Sequence, residues 1–392
     1  MKIKIGVIKI GGLVIFLILI NLACKKSVET SNQGGGGGNS NPVKVDSTYN
    51  PVDPSLLATI GFFGSAWGAR TFVVPSTQDG TPSTGSVSDS LTIDVNKVLV
   101  KVPPYVFGAN SNLWSGEMNK QPVLVQYLSD LSPNIIRGPA GSISDIYFWN
   151  GTDANPAPSD APPTLLNATG ASSSAGYWYG GNDASWTQSL SDYYDLLSKT
   201  NSTGILTVNY GFARYGTSGD PVDSAAHLAA DWVRYDNGRT KYWEIGNENY
   251  GNWEAGYDID VSQNKDGQPA LITGAIYGTQ FKVFADSMKA AAQQIGATIY
   301  IGATLYQQPT TSSDYTSTQT WNVGVLQNAG NTPDFFIVND YFTAYETNSS
   351  VSDILNTADA VPTSVMSYIT QQVTAAGVGI KPIAFTEWNI QA

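Results

Sequence analysis

Residues 241–256 read "KYWEIGNENYGNWEAG". Three glutamates, three asparagines and four aromatic residues crowd one Gly-Asn-Glu step, in a chain of which only 13% is charged. The opening "KYWEI" has the apolar, aromatic content of a short buried strand, and the remainder is a polar loop punctuated by glycine. An amphipathic helix pattern, "SAAHLAADWVRY" at 224–235, precedes it, and a second, within "GTQFKVFADSMKAAAQQIG" at 278–296, comes after it.

Helix, strand, loop, helix is the alternation of parallel βα units, and it extends in both directions. Upstream come "YVFGAN" (105–110) with a helix through "QPVLVQYLSDL", then "NIIRGPAG" (134–141) with a helix through "SLSDYYDLLSK", then "GILTVNYG" (204–211). Downstream come "TIYIGAT" (298–304), "DFFIVNDY" (334–341) and "KPIAFTEW" (381–388). The expected fold class is α/β, a (β/α)8 TIM barrel. Such a barrel closes with eight strands, and the pattern supplies seven, so the barrel over 105–392 is expected to be truncated after strand seven.

The region before the barrel has a different character. Residues 47–104 carry short alternating runs such as "TFVVPS" and "LTIDVNKVLVKV", which read as β-strands belonging to an accessory β-sandwich. Residues 25–46 include five consecutive glycines among Ser, Asn and Lys and read as a flexible linker. Residues 1–24 pair early lysines with an apolar run from Ile10 to Ile20, the pattern of a signal peptide. The run is shorter than the roughly 20 residues a spanning helix needs. It is followed by Cys24, the single cysteine, which excludes an internal disulfide. The placement resembles a bacterial lipoprotein signal, although Asn21 stands where such signals usually carry leucine. That likeness implies lipidation at Cys24 and an exported, outer-membrane lipoprotein held to the membrane only through the lipid; an ordinary secretory signal with an incidental cysteine is the alternative.

Asp and Glu outnumber Lys and Arg by 32 to 20, and no basic cluster follows Lys26, so a nucleic-acid partner is not expected. Twenty-one Tyr and ten Trp offer flat rings to a neutral polar ligand such as a sugar. With one histidine and one cysteine, neither a metal site nor a cofactor is expected. His227 reads as a helix-surface residue. "DIDVSQNKDG" at 258–267 lacks the glycine and closing glutamate of a calcium loop and reads as a solvated loop.

In parallel barrels, catalytic groups gather at the C-terminal ends of strands. Glu248 is expected to end strand four and Glu387 strand seven, so both carboxylates would enter the mouth. Two facing carboxylates are what glycoside hydrolysis requires, one protonating the departing oxygen while the other attacks the anomeric carbon or activates water. Their separation decides between these routes and is not legible in sequence.

"KYWEIGNENYGNWEAG" and "IAFTEWN" resemble the acid/base and nucleophile segments of clan GH-A glycoside hydrolases. Within the clan, "TVNYG", "AADWVRYDN" and "KYWEIGNEN" follow the order and spacing of the α-L-arabinofuranosidases of glycoside hydrolase family fifty-one, and "IIRGPAG" occupies the place of that family's Arg-x-Pro-Gly-Gly turn. The likeness runs from about Val106 to Asn389. It implies a retaining mechanism with Glu248 as acid/base and Glu387 as nucleophile. It further implies that Asn247 binds the sugar 2-hydroxyl, that Arg137 and Tyr341 hold the nucleophile, and that Trp388 lies near substrate. Departures occur among the sugar-gripping positions: Asn112 replaces a glutamate, Ser142 an asparagine and Asn339 a histidine. Reaction type is therefore better specified than substrate. An endo-acting β-1,4-glycanase of the same clan, or a glycan-binding lipoprotein without catalysis, are the other readings. Glu244 shares the strand face of Glu248 and reads as a structural polar contact. Trp114, Trp149, Trp178, Trp186 and Trp253 fall in or near mouth loops, where rings either pack or stack on sugars.

Overall fold

The structure, a computed structural model, describes residues 48–49, 72–73, 91–92, 102–309, 316–344 and 346–390. Cys24, the signal-peptide and linker segments and most of the 47–104 strand segment lie outside the described residues. The chain divides into two compact units. In the smaller, Thr48–Tyr49 pairs antiparallel with Phe72–Val73. The larger contains the barrel.

Seven parallel strands form one sheet: β1 (Gly108–Asn110), β2 (Ile135–Gly138), β3 (Thr203–Val208), β4 (Tyr242–Ile245), β5 (Tyr300–Thr304), β6 (Phe335–Tyr341) and β7 (Ile383–Asn389). They follow one another in sequence order around the sheet. Helices α1 (Pro122–Leu131), α2 (Leu190–Thr200), α3 (Pro221–Asp236), α4 (Gly274–Gln294), α5 (Thr316–Ala329) and α6 (Val351–Ala375) alternate with them. This is the (β/α)8 barrel arrangement with one seam left unsealed between β7 and β1. Across that seam the Asn110 amide donates to the Thr386 carbonyl at 3.0 Å.

Local sequence sets the element ends. Ser189 and Asp192 form a reciprocal capping box at the start of α2. Asp220 caps α3 with Pro221 in the first turn, and Asn237 closes that helix in the left-handed conformation that asparagine tolerates. Thr273 and Ser350 cap α4 and α6. Helix α4 buries Tyr277, Phe281, Phe284, Ala285 and Met288, a single stripe at helical spacing. Trp232 of α3 meets Trp243 of β4 edge to face at 5.8 Å between ring centroids. Both rings are fully buried. Burying a large apolar side chain stabilises the fold by roughly 1.5–3 kcal/mol, and the layer between sheet and helices holds several such side chains.

Three local features differ from the sequence reading. "YVFGAN" is not strand throughout: Pro104–Val106 is a 3₁₀ turn with proline in its first position, and only Gly108–Asn110 joins the sheet. Glu248 does not end a strand, because β4 stops at Ile245 and the glutamate sits in the turn beyond. Glu387 lies inside β7, two residues before its end, at a β-bulge.

Candidate active site

The site is assembled around one arginine. Arg137 on β2 is 3% exposed, in register with Asn110 of β1 and Ile205 of β3. Its guanidinium sends donors in three directions: Nε to Glu244 Oε2 at 2.7 Å, Nη1 to Glu387 Oε1 at 2.6 Å and Nη2 to Asn247 Oδ1 at 2.7 Å. Glu244, on β4, is fully buried and also accepts from Thr207 Oγ1 at 2.7 Å. One buried cation thus connects the barrel interior to both glutamate-bearing segments. The carboxylates Glu244 and Glu387 hold the guanidinium in its charged form against the opposing effect of burial.

The turn after β4 is built to present Glu248. Gly246 has φ +73°, and a Cβ there would lie 2.0 Å from Asn249 Oδ1, so only glycine fits. Glu248 itself has φ +41°, a left-handed conformation costly for a side-chain-bearing residue. Asp145 secures this strained turn from below. It accepts from the Asn247 backbone N–H at 3.2 Å and the Asn249 amide at 2.8 Å through Oδ2, and from the Gly211 N–H at 2.9 Å through Oδ1. The Asn247 side chain has both ends occupied, its oxygen facing Arg137 and its Nδ2 donating to Glu254 Oε1 at 2.9 Å. Ser142 Oγ donates to the same Glu254 oxygen at 2.7 Å.

Glu248 and Glu387 meet different surroundings. Glu387 receives the Arg137 donor on Oε1 and the Tyr341 hydroxyl on Oε2 at 3.0 Å. Gly141, with φ +75°, passes close enough that a Cβ would sit 3.8 Å from Glu387 Oε1. Glu248 Oε2 accepts from a neutral donor, Trp253 Nε1, at 3.0 Å. Burial, followed by the Glu387 charge, pushes the Glu248 pKa above the ordinary glutamate range. One carboxylate is fixed beside a cation while the other favours its protonated form.

The structure brings Glu248, Glu387, Asn247, Arg137 and Tyr341 into this one cluster. Asn112 instead caps a turn, accepting from the Trp114 N–H and donating to the Ala140 carbonyl, both at 3.3 Å. Trp388 is 61% exposed and stacks on Phe342 at 5.7 Å. Trp149 packs on Trp232 and donates to the Leu228 carbonyl, whereas Trp114 and Trp186 are each 60% exposed with Trp178 between them. His227 is exposed on α3 near Asp231. Among the described residues no group of three or more His, Cys, Asp or Glu is placed to hold a metal ion, and no helix is long and apolar enough to cross a membrane.

Sequence reasoning gave no role to Asp145 or Glu254 and missed the Trp253 donor. Asp145 and Glu254 are buried beneath the turn, and both have raised pKa values, Asp145 to about 7, through burial. The charge of Asp145 adds to the effect on Glu254. The folded chain therefore binds protons on this pair more tightly than the unfolded chain does. The Asp145 contribution to stability is greatest at low pH and is lost as pH rises from the ordinary carboxylate range to about 7, and the Glu254 contribution is lost in the same direction. The melting temperature should fall between pH 5 and pH 8, and Glu254→Gln, which preserves the Ser142 and Asn247 contacts, should flatten that slope. An unchanged slope in the variant would show that the pair does not set it.

Fold and site together define a parallel α/β barrel with two glutamates at its C-terminal mouth, one of which, Glu387, is paired with a buried arginine. No family model and no curated protein matches the chain. Among solved structures the chain is similar to an α-L-arabinofuranosidase from Thermotoga maritima in complex with arabinose, at 19% identity and a TM-score of 0.44, covering 72% of this chain and 55% of that one. It is also similar to a family 51 α-L-arabinofuranosidase from Bifidobacterium longum, at 19% identity and a TM-score of 0.48, covering 74% and 55%. A third is the family 51 arabinofuranosidase from Xanthomonas axonopodis pv. citri, at 17% identity and a TM-score of 0.43, covering 73% and 57%. The chain spans a little over half the length of each.

Proposed function

We propose that the chain is a retaining glycoside hydrolase, α-L-arabinofuranosidase-like, acting on polysaccharide. The observation that carries this reading is the unequal pair: Glu387 held by Arg137 and Tyr341, and Glu248 with its pKa raised by burial and by the Glu387 charge. In the first step a Glu387 oxygen forms a bond to the anomeric carbon, the glycosidic C–O bond breaks, and the Glu248 proton goes to the departing oxygen. In the second step Glu248 takes a proton from water, whose oxygen bonds to the anomeric carbon as Glu387 leaves as carboxylate. On this reading the second hydrogen of Asn247 Nδ2 goes to the sugar 2-hydroxyl, the role the resemblance implies. The preference for arabinofuranose rests on the motif order around Arg137, Glu248 and Glu387. An exported lipoprotein anchored through Cys24 is part of the same proposal and rests on the N-terminal sequence pattern alone.

The test is product analysis from arabinan, arabinoxylan, xylan and β-glucan, with Glu387→Ala as control. Free arabinose released by the parent and not by the variant is the expected result; glutamate-independent binding without turnover would favour the non-catalytic reading. One observation favours endo action instead. The Trp114, Trp178 and Trp186 cluster, with ring centroids 6.3 and 5.7 Å apart, offers exposed rings in the loops after β1 and β2. On that reading Trp114→Ala or Trp186→Ala lowers kcat/KM for polysaccharide by roughly tenfold, equivalent to about 1.4 kcal/mol of lost stacking, and leaves an aryl monoglycoside unaffected. Equal rates on both substrates would remove the support for extended binding.

A further inference from the structure

The loop after β4 turns back under itself. The Gly251 N–H donates to the Glu248 carbonyl at 2.7 Å and the Glu254 N–H to the Gly251 carbonyl at 3.1 Å, two turns in succession. The Trp253 ring lies over Gly251, where an added Cβ would collide with it, so the first of these turns needs glycine. The loop thereby returns Glu254, 3% exposed, to the underside of the turn that carries Glu248. Glu254 Oε1 accepts two hydrogens, from Ser142 Oγ at 2.7 Å and from Asn247 Nδ2 at 2.9 Å. Its Oε2 has no hydrogen-bond partner among the described residues. At the other end of the Asn247 amide, Oδ1 takes the Arg137 Nη2 donor at 2.7 Å. Arginine only donates, so the amide oxygen must face Arg137 and the amide nitrogen Glu254. Held at one end, the amide could swing about that contact; held at both, its plane is fixed, and one Nδ2 hydrogen is left over.

We propose that Glu254 is a positioning residue: its Oε1 holds the Asn247 amide at the angle from which the remaining Nδ2 hydrogen meets the substrate 2-hydroxyl. The assignment rests on the proposed function for the 2-hydroxyl contact, and on the hydrogen bonds around Glu254 for the rest. Ser142 shares the same oxygen, so the segment after β2, whose Gly141 passes Glu387, is tied to the segment that carries Glu248. Burial, and after it the charges of Asp145 and Glu248, push the Glu254 carboxyl toward its neutral form. It therefore serves as an acceptor without adding charge beside the two glutamates, and glutamine is its close stand-in.

Glu254→Met removes the acceptor, and Glu254→Gln keeps it. Both are compared with the parent on p-nitrophenyl α-L-arabinofuranoside and on its 2-deoxy analogue, which has no hydroxyl for Asn247 to meet. In Glu254→Met, kcat/KM on the arabinofuranoside should fall on the order of 10²-fold, the cost of a group displaced by about 1 Å, and mostly in kcat, because 2-hydroxyl contacts tighten in the transition state. On the 2-deoxy substrate it should stay close to the parent value, and Glu254→Gln should recover most of the loss. Altered charge near the glutamates, or a looser fold, acts on both substrates alike. Equal losses on the two glycosides would reduce Glu254 to a structural residue and overturn the proposal. A second readout needs no turnover: exchange with water of the Asn247 side-chain amide hydrogens, in protein labelled with nitrogen-15 asparagine and assigned from Asn247→Ala. These should exchange at least about tenfold faster in Glu254→Met, while the Asn249 amide, held by Asp145, keeps its rate. An Asn247 rate left unchanged would also overturn the proposal. Should Glu254→Met not fold, Glu254→Asp, whose acceptor is drawn back by one methylene, carries the same comparisons. A parent that cleaves neither glycoside would count against the proposed function, and the exchange rates would still decide the role of Glu254.

Discussion

Glu387→Gly should lose at least about 10⁴-fold in kcat on an activated aryl glycoside, the scale seen when a nucleophile is deleted from a catalytic group acting as a unit. The fold should survive, because Glu387 is partly exposed and Arg137 retains its contacts with Glu244 and Asn247. Removing the carboxylate opens space beside Gly141 and Tyr341, which a small anion such as azide can enter. Azide should then restore cleavage and give a glycosyl azide of inverted configuration. In Glu248→Gly the same anion intercepts the glycosyl intermediate from the other side, and the azide product keeps the substrate's configuration. Rescue with the two stereochemical outcomes exchanged would reverse the assigned roles.

Arg137→Met should be the most destabilising single substitution in the site. Glu244 has no exposure, and without the arginine its only remaining hydrogen bond comes from Thr207. Stranding a buried charge in this way costs about 3–5 kcal/mol. Denaturant unfolding should show a loss of that size together with a collapse in kcat/KM, since Glu387 and Asn247 lose their shared anchor. Adding Glu244→Gln neutralises the stranded carboxylate, so the double variant should recover most of the stability and none of the activity. Arg137→Lys should not rescue activity, because the three acceptors are served from three separate guanidinium nitrogens, a spread that donors on one ammonium nitrogen do not span. Full stability in Arg137→Met would mean that the buried cluster contributes little to the fold.

Much of this arrangement was legible in the sequence for a simple reason. Short apolar strands alternating with amphipathic helices announce parallel βα units, and a glutamate at the change from strand to polar loop announces the mouth. Arg137, Glu248 and Glu387 were singled out by ordered motifs, not by composition, and the fold brings the three segments together. What escaped was whatever depends on register or on contacts between distant segments. The bulge at Thr386 adds one residue to β7, and nothing in "IAFTEWN" marks it. Asp145 lies in a 3₁₀ segment, Gly141–Ile146, and meets the Glu248 turn about a hundred residues later, a pairing no local pattern encodes. Helix α6 hid for a different reason. Only Val365, Ile369 and Val373 are buried among its 25 residues, and Pro362 interrupts its interior, so its apolar stripe is short. The left-handed backbone of Glu248 is likewise imposed by the surrounding hydrogen bonds, since glutamate has no intrinsic preference for it.

The central claim, that Glu387 forms a covalent bond to sugar, is tested most directly by mass spectrometry. The parent chain would be incubated with a slow 2-deoxy-2-fluoro glycosyl donor of the sugar it releases, then digested, and the peptide carrying residue 387 weighed. The account predicts a mass increase of one fluoroglycosyl unit on Glu387, absent when Glu387 is replaced and lost again as the adduct slowly hydrolyses. An enzyme that turns over the parent glycoside yet carries the label on Glu248, or on neither glutamate, would contradict it.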